Sequence, residues 1–157
     1  MTGYLKSFGI EVGKGKHHEE AIYSVALLYN LLSSEIERYL QKFGLSAGKL
    51  NVLVTIRNRG GEEGISQVDI SKNLIVSPAN MTKLLDKLEK EGLVTRGAQE
   101  GDRRVNIIRI TPKGEKLLDQ LWPGYLKTLE ELGKKLSQKD QKQLASSLMG
   151  WVGKLSA

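Results

Sequence analysis

The sequence predicts a mainly α-helical fold with a minor β component, on three observations. One stretch near each end carries apolar residues at alternating spacings of three and four, the mark of long amphipathic helices. Between them, Ser66 to Thr111 holds two capped helices and then a short hairpin rich in β-branched residues. That order is the order of a winged helix-turn-helix lobe. The expected organisation is a flexible arm over 1–18 and a single domain over 19–157. Within the domain, 19–43 and 112–157 are dimerisation helices and 46–111 is the winged helix-turn-helix lobe.

In chain order, residues 1–18 contain several glycines and no sustained periodicity, so they read as a mobile or loosely docked arm. From Glu19, the residues Ile22, Val25, Tyr29, Leu32, Ile36, Tyr39 and Phe43 form a heptad stripe along one long helix. Leu27, Leu28, Leu31 and Leu40 broaden it. A helix this apolar on more than one face has more to bury against than its own chain. Gly44 is a stop signal and Ser46 a cap for the next helix, with Leu50, Leu53, Val54 and Ile56 as core positions. Gly60, Gly61 and Gly64 force a loop, which matches no phosphate-binding pattern.

Ser66 and Asp69 have capping-box spacing, and Val68, Ile70 and Leu74 are the apolar positions of the short helix they open. Ser77-Pro78 opens a second helix, whose Met81, Leu84, Leu85 and Leu88 form one stripe and which Gly92 ends. Leu93–Arg96 and Val105–Ile110 read as the arms of a hairpin, with Ile108 and Ile110 on one face and Asp102, Arg103 and Arg104 at the tip. Thr111-Pro112 then opens a second long helix with Leu118, Trp122, Tyr125, Leu129, Leu132 and Leu136 in its stripe; Pro123 is expected to kink or interrupt it. Ser137 and Asp140 cap a final helix carrying Leu144, Leu148, Trp151, Val152 and Leu155.

Composition bounds the function. At 157 residues, 39% hydrophobic and 27% charged, the chain can bury a core, and no apolar run approaches the roughly 20 residues needed to span a bilayer. No secretory signal is visible, so a cytoplasmic location is expected. There is no cysteine, which removes disulfides and thiol chemistry. His17 and His18 are adjacent and lack other ligands at suitable spacing, so neither metal nor cofactor is expected. The net charge of +6 favours a polyanionic partner, although the excess is spread along the chain and not concentrated in the central block.

The DNA-reading expectation therefore rests on where side chains project. On a helical wheel the buried stripe of the Ser77–Leu88 helix leaves Ala79, Lys83, Asp86 and Lys90 opposite, with Asn80 and Lys87 on the shoulder. The N-terminal part of such a helix enters the major groove, so Pro78, Ala79, Asn80, Thr82 and Lys83 are candidates for base edges and nearby phosphates, with Lys87 beside them. Ser66, Gln67 and Ser77 suit phosphate oxygens. At the hairpin tip an arginine can enter a narrow minor groove, and Asp102 is placed to aim Arg104; bracing of the hairpin by that pair is the plainer alternative.

Taken together, these residues resemble the MarR family of bacterial and archaeal transcription regulators. The likeness runs through Gly44-Leu45-Ser46, Ser66-x-x-Asp69-Ile70-Ser71, Ser77-Pro78-Ala79-Asn80-Met81-Thr82, Leu88-Glu89-x-x-Gly92-Leu93-Val94-x-Arg96, Asp102-x-Arg104 and Ile110-Thr111-Pro112-x-Gly114. It implies a homodimer with interlocked terminal helices that sets two reader lobes on pseudo-palindromic double-stranded DNA, with the wing arginine in the minor groove. It also implies a repressor modulated by a small, often aromatic, ligand. Tyr23, Tyr29, Arg57, Trp122 and Tyr125 are the candidates for lining such a pocket, with packing in core or interface as the alternative for each. No nucleophile–base set, metal set or phosphate loop points to an enzyme. The competing expectation is a non-enzymatic protein-interaction module that keeps the winged scaffold without reading DNA.

Overall fold

Hydroxyl caps set the starts of four helices in the computed structural model, which describes residues 3–74, 77–99 and 102–156. For Pro78, Gln99, Asp102, Arg103 and Arg104 the backbone alone is described. The Oγ of Ser46, Ser77, Thr111 and Ser137 accepts the backbone N–H of Lys49, Asn80, Gly114 and Asp140 respectively, three residues on in each case. Each of these bonds satisfies an N–H that the first helical turn leaves without a partner. The element order is α1 (Gly3–Ser7), α2 (His17–Leu40), a 3-10 turn (Gln41–Phe43), α3 (Ala47–Gly60), β1 (Ile65–Ser66) and α4 (Gln67–Leu74). It continues with α5 (Pro78–Lys90), β2 (Val94–Gln99), β3 (Asp102–Ile110), α6 (Pro112–Gly133) and α7 (Gln138–Leu155). The mainly α fold with a winged helix-turn-helix at its centre is thus as expected.

The stretch expected as an arm includes α1, whose Leu5 is buried beside α2. The expected hairpin is present and is part of a three-stranded antiparallel sheet of order β1-β3-β2. Ile65 pairs with Ile108, Val94 with Ile110, and the ladder shifts register between Ala98 and Gln99 near the tip. Two residues of β1 are too few to show a period, so the third strand left no mark in the sequence pattern.

The core lies inside the reader lobe. Leu50, Val52, Leu53 and Ile56 of α3 meet Ile70 of α4, Met81, Leu85 and Leu88 of α5, Val94 and Ile108 of the sheet, and Leu118 and Leu121 of α6. From α2 only its last residue, Leu40, joins them as a buried residue. The outer helices look away: Ile22, Tyr29 and Leu31 of α2 and Leu126 of α6 are half exposed or more, and α7 buries none of its residues. Pro123 does not interrupt α6, which runs through it.

Candidate nucleic-acid interface

Helix α5 is fixed from beneath and free above. Met81, Leu85 and Leu88 are fully buried, and the Gly92 C′ turn closes the helix, with Leu93 N–H donating to the Leu88 carbonyl and Gly92 itself at φ +70. On the outer face Ala79, Asn80, Thr82, Lys83 and Lys87 are all exposed. Their placement agrees with the wheel drawn from sequence, because a stripe at i, i+4 and i+7 leaves the opposite face to solvent.

The charge of that face is set by what pairs with its acids. Arg96 of β2 reaches Asp86 at 2.5 Å and Glu89 at 3.3 Å, and its guanidinium also donates to the Thr82 carbonyl. Glu91, just past the helix, is held by Lys49 of α3. Lys83 and Lys87 have no acidic partner among the described residues, so the outer face of α5 presents uncompensated positive charge. Arg96 also braces the wing against α5. Sequence reading placed it as a strand residue and as the end of a family motif, with no pairing role; the sign that could have found that role is the Asp86/Glu89 pair one turn apart facing a basic strand position.

Ser66 forms the expected capping pair with Asp69: its Oγ accepts the Asp69 N–H at 3.1 Å and donates to the Asp69 carboxylate at 2.6 Å. Gln67 spends its amide differently, donating to the Thr82 hydroxyl at 2.9 Å. That bond ties α4 to α5 and fixes the two exposed polar residues relative to one another. Ser77 stays at the surface beside them as the α5 cap. At the wing, Asp102 is the first residue of β3 and pairs with Gln99. The expected side-chain roles of Pro78, Asp102, Arg103 and Arg104 lie outside the described residues.

The five residues expected around a ligand do not form one site. Arg57 of α3 lies 5.4 Å over the Trp122 ring and reaches Asp119 at 3.1 Å and Glu115 at 4.0 Å, all on α6. Trp122 and Tyr125 pack ring to ring at 5.5 Å. These three therefore gather where α3 meets α6. Tyr23 and Tyr29 stand apart on α2, 41% and 69% exposed, because their side chains project from the face of α2 that carries no partner within the chain. The volume of about 510 Å³ between α1 and α2 is lined by Tyr4, Leu5 and Leu27 among others, and by none of the five.

Tyr39, placed in the α2 stripe by sequence, has a further role. Its hydroxyl donates to the Leu121 carbonyl of α6 at 2.6 Å, and its ring packs on Phe43. Burial raises its pKa above the ordinary phenol value, with the Tyr125 backbone N–H acting in the opposite sense.

Comparisons with known proteins agree with this geometry. Residues 45–105 match the model of the MarR family. The chain is 29% identical over 124 residues to the HTH-type transcriptional regulator PecS of Dickeya dadantii, covering 79% of this chain and 74% of that protein. It is 27% identical over 125 residues to the HTH-type transcriptional regulator MhqR of Bacillus subtilis, covering 80% and 83%. Among solved structures, the S. aureus MepR–DNA complex superposes with a TM-score of 0.76 at 21% identity, covering 84% of this chain and 96% of that one.

Proposed function

We propose that this chain, which resembles the MarR family over residues 45–105, is a winged-helix regulator of that kind and acts as a homodimer that represses transcription by binding a pseudo-palindromic operator. The observation that carries the reading is the outer face of α5, where Asn80, Thr82 and Lys83 are exposed and both acids of the helix are drawn to Arg96. In a winged helix-turn-helix that face enters the major groove, with Lys83 suited to guanine or phosphate and Asn80 to adenine. Ser66 and Ser77 sit where helix N-termini meet phosphate oxygens, and Arg104 extends the contact into the minor groove. None of this machinery is catalytic; the protein works by occupying DNA in the cytoplasm.

The second copy belongs on the outer helices. α7 buries nothing of its own, and Met149, Val152 and Leu155 are 69%, 54% and 75% exposed. Apolar surface of that extent on three neighbouring helices calls for a partner. The family resemblance adds a small aromatic effector, and Arg57, Trp122 and Tyr125, which gather where α3 meets α6, are the residues proposed to meet it.

The test is a salt titration of binding to DNA from upstream of the protein's own gene. Affinity is expected to fall steeply and linearly on a log–log scale as phosphate contacts are lost, with a preference over scrambled DNA. Binding with no sequence preference, or none at all, overturns the reading.

A further inference from the structure

We infer that Tyr39 is a positioning residue for operator spacing: its hydroxyl, bonded to the Leu121 carbonyl beside Pro123, fixes the angle at which the reader lobe joins the outer helices. This rests on the dimeric reading above.

Within α6 one rung is missing and two carbonyls take an extra side-chain donor, all inside two turns. Pro123 has no N–H, so the Asp119 carbonyl loses the helical partner it would otherwise have. The Leu121 carbonyl, which faces the Tyr125 N–H in a helix, also accepts the Tyr39 hydroxyl at 2.6 Å. The Gly124 carbonyl takes the Thr128 hydroxyl at 2.9 Å. Prolines, inserted side chains and back-bonding hydroxyls are the recognised causes of helix bending. Here all three coincide.

The seat exists because residue 124 is glycine. A Cβ there would lie 2.4 Å from the Tyr39 oxygen and 3.0 Å from its ring. The phenol is itself held firmly, since Leu40 next to it is fully buried in the reader core and Phe43 packs on its ring. On the reader side of the joint, Gly114, Leu118 and Leu121 are buried; beyond it Leu126 and Leu129 are 50% and 38% exposed. These positions thus sit where α6 passes from one lobe to the other.

The lever is long enough to matter. From Gly124 to the end of α6 at Gly133 is about 14 Å at the helical rise. A change of about 15° at the joint moves that end by about 3.5 Å, close to one base-pair step along DNA. In a dimer joined through the outer helices, such a change alters the separation of the two α5 helices.

Tyr39→Phe keeps the ring and removes only the oxygen, so that the Leu121 carbonyl loses its side-chain donor. Because the chain has no cysteine, Lys90→Cys gives one spin-label site per protomer, on α5 away from its N-terminal contacts. The label-to-label distance in the full-length dimer is expected to shift by about 3 Å or more in Tyr39→Phe. On an operator series with varied half-site spacing, the optimum is expected to move by about one base pair. Gly124→Ala, which ejects the phenol by a different route, should shift both readouts in the same direction. An unchanged distance and an unchanged spacing optimum in a folded variant overturn the inference. Absence of any dipolar signal in labelled Lys90→Cys with Tyr39 intact instead overturns the dimer on which it rests.

Discussion

The Arg96 guanidinium of β2 and the Asp86 carboxylate on the outer face of α5 are 2.5 Å apart, and Glu89 adds a second contact to the same arginine at 3.3 Å. This pair does two things at once: it removes a negative charge from the surface proposed to meet DNA, and it fastens the wing to the recognition helix.

Arg96→Ala should therefore cost more in binding than in folding. Partly exposed ion pairs contribute on the order of 1 kcal/mol or less to stability, so a small drop in urea midpoint is expected. DNA affinity should fall by about tenfold or more, since Asp86 then faces phosphate unpaired and the wing loses its brace. Adding Asp86→Asn should recover part of the affinity by removing the repulsion. Fluorescence anisotropy at fixed salt measures both; equal affinity for parent and Arg96→Ala would show the clamp to be structural only.

At the wing tip, Arg104→Ala is expected to weaken binding chiefly on operators with A·T-rich, narrow minor grooves, by about 1–3 kcal/mol. A parallel series with G·C-rich flanks should show a smaller loss. The same loss on both series would assign Arg104 to phosphate, and no loss would assign it to bracing the hairpin.

Gly114 explains the spacing Thr111-Pro112-x-Gly114. Thr111 caps α6 through the Gly114 N–H at 3.1 Å, which brings the helix start against β2: a Cβ on residue 114 would fall 2.4 Å from the Leu93 carbonyl and 2.8 Å from the Ile110 side chain. Gly114→Ala should destabilise by about 1–3 kcal/mol, as overpacking against backbone does. Equilibrium urea unfolding reads this directly, and a neutral result would mean that α6 can slide away from the sheet.

Alkaline pH should expose the Tyr39 phenol. Its pKa lies above the usual value of about 10 because burial disfavours the phenolate. As pH rises past about 10 the unfolded chain ionises first, so the stabilisation present below that pH declines as the folded value is approached. The stability gap between the parent chain and Tyr39→Phe should shrink over that range. A gap that stays constant with pH would place the phenol in a solvent-like setting.

Most of the fold was legible because its signals are local. Each hydroxyl cap, the Ser66–Asp69 pair and the Gly92 stop involves residues within three or four positions, and each appears as read. What was not legible depends on the partner brought in by the fold. Val52 is fully buried although it falls outside the stripe of Leu50, Leu53 and Ile56, because α3 is packed on from several sides. Pro123 could be read as a break, but not the phenol that bonds the nearby Leu121 carbonyl from 82 residues away in sequence. Likewise the exposed face of α5 was readable by wheel, whereas its paired acids needed the strand that lies across them.

The bare outer helix α7 bears on genetics as well as on assembly. If a protomer finds most of the cover for Met149, Val152 and Leu155 on another chain, each reader is only as useful as the copy it is joined to. A chain with an intact α7 and a broken α5 would be drawn into mixed pairs, leaving one working half-site per assembly. Such an allele would silence its healthy neighbour, and its effect would be dominant.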